Sequence, residues 1–227
     1  MFFHPLDFLI IIAFGLSLWA QFKVKGNFQK YSQVPASSHM QGAEIARKLL
    51  DQNGLYDVRV EHIRGALTDH YDPLKRAVRL SDTVHSHASI AAISVAAHEV
   101  GHAIQHSEAY GALVLRHKLF PIVNFTSSIA PFLLIGGFLL GSLNLLGLGI
   151  IFFSAVVAFQ LITLPVEFNA SSRARQLMIS EGMISNQEET GVKKVLNAAA
   201  LTYVAAALLS LLQLLKFVAI FSQGNRE

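Results

Sequence analysis

The chain contains no cysteine. Disulfides, thiolate zinc ligands and Cys nucleophiles are therefore excluded, and any zinc ligand must be His, Asp or Glu. Charge is scarce as well. Asp, Glu, Lys and Arg make up 15% of the 227 residues, against about a quarter in an average soluble domain. All four are missing from Leu119 to Val166. No basic run interleaved with aromatics is present, so the net charge of +3 is no sign of nucleic-acid binding. Internal repeats and low-complexity segments are also absent.

What is abundant is apolar surface, at 52% of residues. As one helix, the charge-free stretch would run about 70 Å, more than twice the roughly 30 Å core of a bilayer. It must fold back once. The residues Gly141-Ser142-Leu143-Asn144 mark the turn, which gives a helical hairpin with spans at 121–141 and 146–165. Another span is expected between Lys194 and Lys216, and one more from Phe8 to Phe22. The last of these has Asp7 before it and Lys23 and Lys25 after it. That charge order suits an uncleaved anchor better than a signal peptide. Basic residues flank one end of each span: Lys23, Lys25 and Lys30; Arg116 and Lys118; Arg173 and Arg175; Lys193 and Lys194. The positive-inside rule then places segments 23–118 and 166–194 in the cytoplasm and both termini outside.

Residues 23–118 suffice for a small folded domain. Ala43, Ile45, Ala46, Leu49 and Leu50 form one apolar face, which predicts a helix over 41–52 ending at Asn53-Gly54. Val58 and Val60 alternate with Arg59 and Glu61, as in a strand. Thr68 to Pro73 carries turn chemistry. Ala77 to Ser81 reads as a second strand, and Ser81 or Asp82 stands near the start of the next helix. A strand just before a metal-binding helix can bind extended substrate by edge pairing, and an ordinary hairpin packed on a helix explains it equally well.

That helix carries His98-Glu99-Val100-Gly101-His102, an HExxH motif. Positions i and i+4 share one helix face, so His98 and His102 can hold one metal ion between them. Glu99 is placed to reach a water on that metal. Two imidazoles and a carboxylate in one turn of an apolar helix call for a function, because polar groups are costly to bury unsatisfied. The chemistry indicated is metal-assisted hydrolysis, with Glu99 as general base.

A catalytic zinc takes about three protein ligands and leaves a position open. His106 continues the i+4 series, but it lies about 12 Å along the axis from His98, too far to share one ion. Glu108 stands where a bent-loop zinc site would need His. Glu167 is the better third ligand. Two spans separate it from His102, so both emerge on the same face of the bilayer.

Several segments together resemble the bacterial membrane-bound neutral zinc metallopeptidases, the YugP-like family. They are Leu67-Thr-Asp-His-Tyr-Asp-Pro73, Val78-Arg-Leu-Ser81, Ala96-Ala-His-Glu-Val-Gly-His-Ala-Ile-Gln-His106, Leu164-Pro-Val-Glu-Phe-Asn-Ala-Ser171 and Ala198-Ala-Ala-Leu-Thr-Tyr-Val-Ala-Ala206. The resemblance covers nearly the whole chain. It implies Zn2+ held by His98, His102 and Glu167, with Glu99 as base. The layout is similar to HtpX-type and CAAX-type membrane proteases. Asn169 departs from the Asp expected in this family, which removes a charge from a residue supporting the site.

The expected fold is mainly α and integral to the membrane: four transmembrane helices with a small α+β, zincin-like cytoplasmic domain carrying HExxH. The expected divisions are 1–22 (anchor), 23–118 (zincin-like domain), 119–165 (hairpin), 166–194 (cytoplasmic segment with the third ligand) and 195–221 (last transmembrane helix). The expected activity is that of a zinc-dependent endopeptidase of the gluzincin type, hydrolysing peptide bonds of membrane or misfolded proteins. It would lie in the bacterial inner membrane with its site on the cytoplasmic side. Its partners would be the lipid bilayer and a peptide or protein substrate. Residues expected to support the metal ligands are Asn169, Asp72 and His70. The competing reading is a non-catalytic membrane protein whose structural zinc takes a fourth ligand from Asp72, His70 or His85. A closed four-ligand site would mark that reading, and an open one would mark the enzyme.

Overall fold

A computed structural model of the chain describes residues 4–224. In chain order the elements are α1 (Pro5–Ser32), α2 (Gly42–Gln52), β1 (Arg59–Ile63), β2 (His70–Asp72), β3 (Ala77–Ser81), α3 (Asp82–Ser86), α4 (Ile90–Ser107), α5 (Gly111–Leu139), α6 (Leu143–Ser180) and α7 (Asn186–Gly224). The protein is mainly helical. Among the described residues four helices, α1, α5, α6 and α7, are long and apolar enough to cross a membrane.

The chain forms two compact units. One takes the residues up to Trp19, Val114–Leu164 and those from Thr202 onward. Its helices pack through small residues and rings. α5 ends at a left-handed Gly141, with φ of 61°. There Ser142 N–H donates to Gly137 O at 2.9 Å and Gly141 N–H to Phe138 O at 3.4 Å. This is the Schellman pattern, and it reverses the chain into α6. Phe217 of α7 meets the rings of Phe138 and Phe153, at centroid distances of 6.2 and 5.7 Å. Lys216 pairs with Asp7, and Ser210 Oγ donates to Gln160 Oε1 at 2.5 Å.

The other unit takes Ala20–Leu113 and Pro165–Leu201. Its core gathers Ile45, Leu49 and Leu50 of α2, Val78 and Leu80 of β3, Ile90 and Ile93 of α4, and Met178 and Met183. The apolar stripe of α2 faces this core, and Glu44 closes its first turn by accepting from Gln41 N–H at 2.7 Å. The sheet has the order β1-β3-β2. β1 runs parallel to β3, with Val60 opposite Val78. β2 runs antiparallel to it, with Tyr71 opposite Val78.

Two local expectations change. Residues 68–73 are not wholly a turn. His70, Tyr71 and Asp72 form strand β2, and the turn moves to 73–76, where Asp72 Oδ1 accepts from the N–H groups of Leu74 and Lys75, both at 3.0 Å. The strand before α3 and α4, β3, is the middle of the sheet, with both edges already paired. β2 is the outer strand on the antiparallel side, so edge pairing there falls to β2. The helix that carries the expected span 146–165, α6, runs on past Pro165 to Ser180. Proline removes one backbone donor from a helix interior. The remaining hydrogen bonds carry α6 past it, and Glu167 becomes a helix residue.

Candidate metal centre

α4 begins at Ser89, whose Oγ accepts from Ala92 N–H at 3.2 Å. Its alanine-rich sequence favours helix and sinks Ala96, Ala97, Val100 and Ala103 into the core. Gly101 lies one residue before His102. A Cβ added there would sit 2.7 Å from Ala170 O. The missing side chain thus lets α4 lie directly against the backbone of α6, three residues beyond Glu167.

The contact brings three donors together. The ligand atoms of His98, His102 and Glu167 all lie within 4.8 Å of one another. Glu167 Oε2 is 3.3 Å from His98 Nε2 and 3.6 Å from His102 Nε2. The two imidazoles stand edge to face, with centroids 4.7 Å apart. Ligands about 2.0–2.1 Å from a tetrahedral zinc lie about 3.3 Å from one another. Two imidazole nitrogens and a carboxylate oxygen at this spacing fit zinc in both donor type and separation.

The outer nitrogens are engaged as well. His98 Nδ1 meets Ser171 Oγ at 3.1 Å. His102 Nδ1 meets Gln105 Oε1 at 3.0 Å. Burial works against charge on His102, but the carboxylate of Glu167 more than offsets this and raises its pKa. Glu99 is 7% exposed. Burial raises its carboxyl above the usual range, while His98 and His102 pull the other way.

The remaining expected residues lie as follows. Asn169 Oδ1 accepts from Gln105 Nε2 at 2.9 Å and from Arg173 Nε at 2.8 Å. Through Gln105 it is linked to His102. Asp72 pairs with Arg79 at 2.8 Å and caps its own turn. His70 is exposed, with Nδ1 at 2.9 Å from Thr68 O. His85 Nδ1 meets Ser86 Oγ. His106 Nδ1 takes a hydrogen bond with Tyr71 Oη at 2.8 Å, and Glu108 pairs with Arg173 at 2.6 Å. Gln105, Ser171 and Arg173 were not expected at the site. Helical spacing offered a signal for two of them: Gln105 follows His102 by three residues, and Ser171 follows Glu167 by four.

The chain thus combines four helices of membrane-crossing length with a buried cluster of two imidazoles and a carboxylate that could hold a metal ion. The chain belongs to the family described as "Putative neutral zinc metallopeptidase", whose profile matches residues 6–222. It is 70% identical over 220 residues to the "Putative membrane protease YugP" of Bacillus subtilis (strain 168), covering 97% of this chain and 98% of that protein. No solved structure matches it.

Proposed function

We propose that the chain is a zinc-dependent endopeptidase, cutting membrane or misfolded proteins at the cytoplasmic face of the bacterial plasma membrane. The observation that carries this is the donor count. Among the described residues the cluster holds three ligand side chains, with the buried carboxyl of Glu99 next to His98. Structural zinc sites are closed by four ligands, whereas catalytic ones use three and keep a position for water.

His98, His102 and Glu167 would hold the ion. When bound, zinc acts as a Lewis acid on the scissile carbonyl and makes its water a nucleophile near neutral pH. Glu99 accepts a proton from the attacking water on its carboxylate and returns it to the leaving amine. β2 offers an extended substrate an edge to pair with. Its Tyr71 reaches α4 through His106, which ties that edge to the metal helix.

Glu99→Gln tests the reading. It removes the base and no ligand, so zinc content should be retained while peptide turnover falls by about 10²- to 10⁴-fold. Near-normal cleavage by the variant, or no cleavage of any unfolded or membrane-derived peptide by the wild type, would favour a structural zinc. The cytoplasmic placement rests on the basic flanks of the spans. Because the chain has no cysteine, Leu74→Cys introduces a single thiol at an exposed turn. That thiol should resist a membrane-impermeant maleimide in intact cells and react after lysis. Labelling in intact cells would reverse the topology.

A further inference from the structure

We propose that Gln105, Asn169 and Arg173 form a one-way hydrogen-bond relay that fixes the tautomer of His102 and so presents its Nε2 to the metal. This inference rests on the zinc reading above and concerns how the chain prepares one ligand.

The direction of each bond is forced from the far end. The Arg173 guanidinium can only donate. It is anchored by Glu108 at 2.6 Å. Its Nε gives a hydrogen bond to Asn169 at 2.8 Å, so the Asn169 atom there must be the amide oxygen. That oxygen also faces Gln105 at 2.9 Å, so Gln105 must present its NH₂. A second acceptor demands the same orientation: the backbone carbonyl of Val166, at 2.8 Å from Gln105 Nε2. With both amide hydrogens committed, Gln105 has only Oε1 left to face His102 Nδ1 at 3.0 Å. An acceptor there requires a proton on Nδ1. The neutral imidazole carries one proton, so Nε2 keeps its lone pair, and Nε2 is the nitrogen facing Glu167. Gln105 is fully buried, at 0% exposed, so no water competes for its amide.

His98 is held differently. Its outer nitrogen meets the Ser171 hydroxyl, which can donate or accept by turning. Among the described residues no further side-chain partner of Ser171 fixes which. The two imidazoles are therefore unequal: His102 is preset by the fold, and His98 takes its tautomer when the metal arrives. The relay also accounts for Asn at position 169. What the network needs there is an oxygen that accepts from both Gln105 and Arg173, and an amide oxygen serves as a carboxylate would.

The test uses full-length protein in lipid nanodiscs. Zinc affinity is measured by competition with a chelator, and the histidine tautomers of metal-free protein by ¹⁵N NMR at alkaline pH. Gln105→Leu should weaken zinc binding by about 10- to 100-fold, as expected for loss of a group orienting a metal-bound His. It should also leave His102 as a mixture of tautomers while the His98 signal stays unmoved. Arg173→Gln sits at a more exposed position and guards against misfolding of the first variant. It frees Asn169 to turn, and should shift affinity and the His102 tautomer in the same direction by a smaller factor. Asn169→Asp keeps both acceptors and should preserve affinity and tautomer. Wild-type zinc affinity in folded Gln105→Leu, or a wild-type His102 whose proton resides on Nε2, would overturn the relay. Neither readout needs peptidase activity, so a failure of the enzymatic reading is seen separately.

Discussion

The two units of the chain answer to different solvents. In the unit made of the residues up to Trp19, 114–164 and those from 202 onward, large apolar side chains point outward, with Phe132 at 76% exposed. Among the described residues, side-chain polar contacts between its helices include the Asp7–Lys216 pair and the Gln160–Ser210 bond. In the other unit the same helices turn polar. Past Pro165, α6 presents Glu167, Asn169, Ser171, Arg173 and Arg175 at spacings of two residues. Each has a partner within the unit. One helix thus serves two chemistries along its length, and the change falls just before Glu167. A buried carboxylate beside two imidazoles is tolerable only where such partners exist.

The largest expected effect probes the polar unit. Glu167→Ala should abolish stoichiometric zinc, because two imidazoles alone hold a divalent ion poorly. His106→Ala should leave zinc unchanged, since that imidazole bonds to Tyr71 instead. Elemental analysis of the purified variants decides. Full zinc in Glu167→Ala would remove α6 from the site and with it the contrast between the two ends of that helix.

A smaller effect compares the units directly. Leu74 in the polar unit is 94% exposed, more than Phe132 in the apolar one. Exposure alone therefore predicts equal tolerance to a charge. The solvent does not. Phe132→Asp places a carboxylate near the middle of the 121–141 span and should cost about 3–4 kcal/mol of membrane insertion. Leu74→Asp faces water and should change stability by no more than about 0.5 kcal/mol. The fraction of membrane-inserted protein measures the first, and the melting temperature measures the second. Equal outcomes would mean that both surfaces face the same medium.

Much of this division was legible in the sequence, for simple reasons. A run without Asp, Glu, Lys or Arg is an unambiguous signal, and it marks α5 and the first part of α6. The spacing of His98 and His102 is local, so the facing of their rings follows from helix geometry. Glu167 required a longer argument, because nothing near it in sequence indicates His98. Only counting bilayer crossings brings them to one face. What stayed hidden was non-local. β2 occupies a segment of turn-type residues, and its pairing with β3 outweighs that local preference. Gln105 lies three residues from His102, but its partners Val166 and Asn169 lie across the helix contact at Gly101.

The smallest effect concerns Asp69, an acid within the polar unit. Its carboxylate accepts from Ser81 N–H at 2.7 Å and Ser81 Oγ at 2.9 Å. Burial raises its pKa, and the two Ser81 bonds only partly oppose this. The sign of the consequence follows by linkage. A carboxyl that binds its proton more tightly in the folded state stabilises the fold fully below its unfolded pKa of about 3.9. That contribution is lost as pH rises through the folded value. Asp69→Asn keeps an oxygen for Ser81 N–H and never ionises. The melting temperature of the variant relative to wild type should therefore climb as pH is raised through the acid range, then level off. A difference moving the opposite way would show that the Ser81 bonds outweigh burial. In that case the polar unit would favour its buried charges through hydrogen bonds, as an exposed surface does through water.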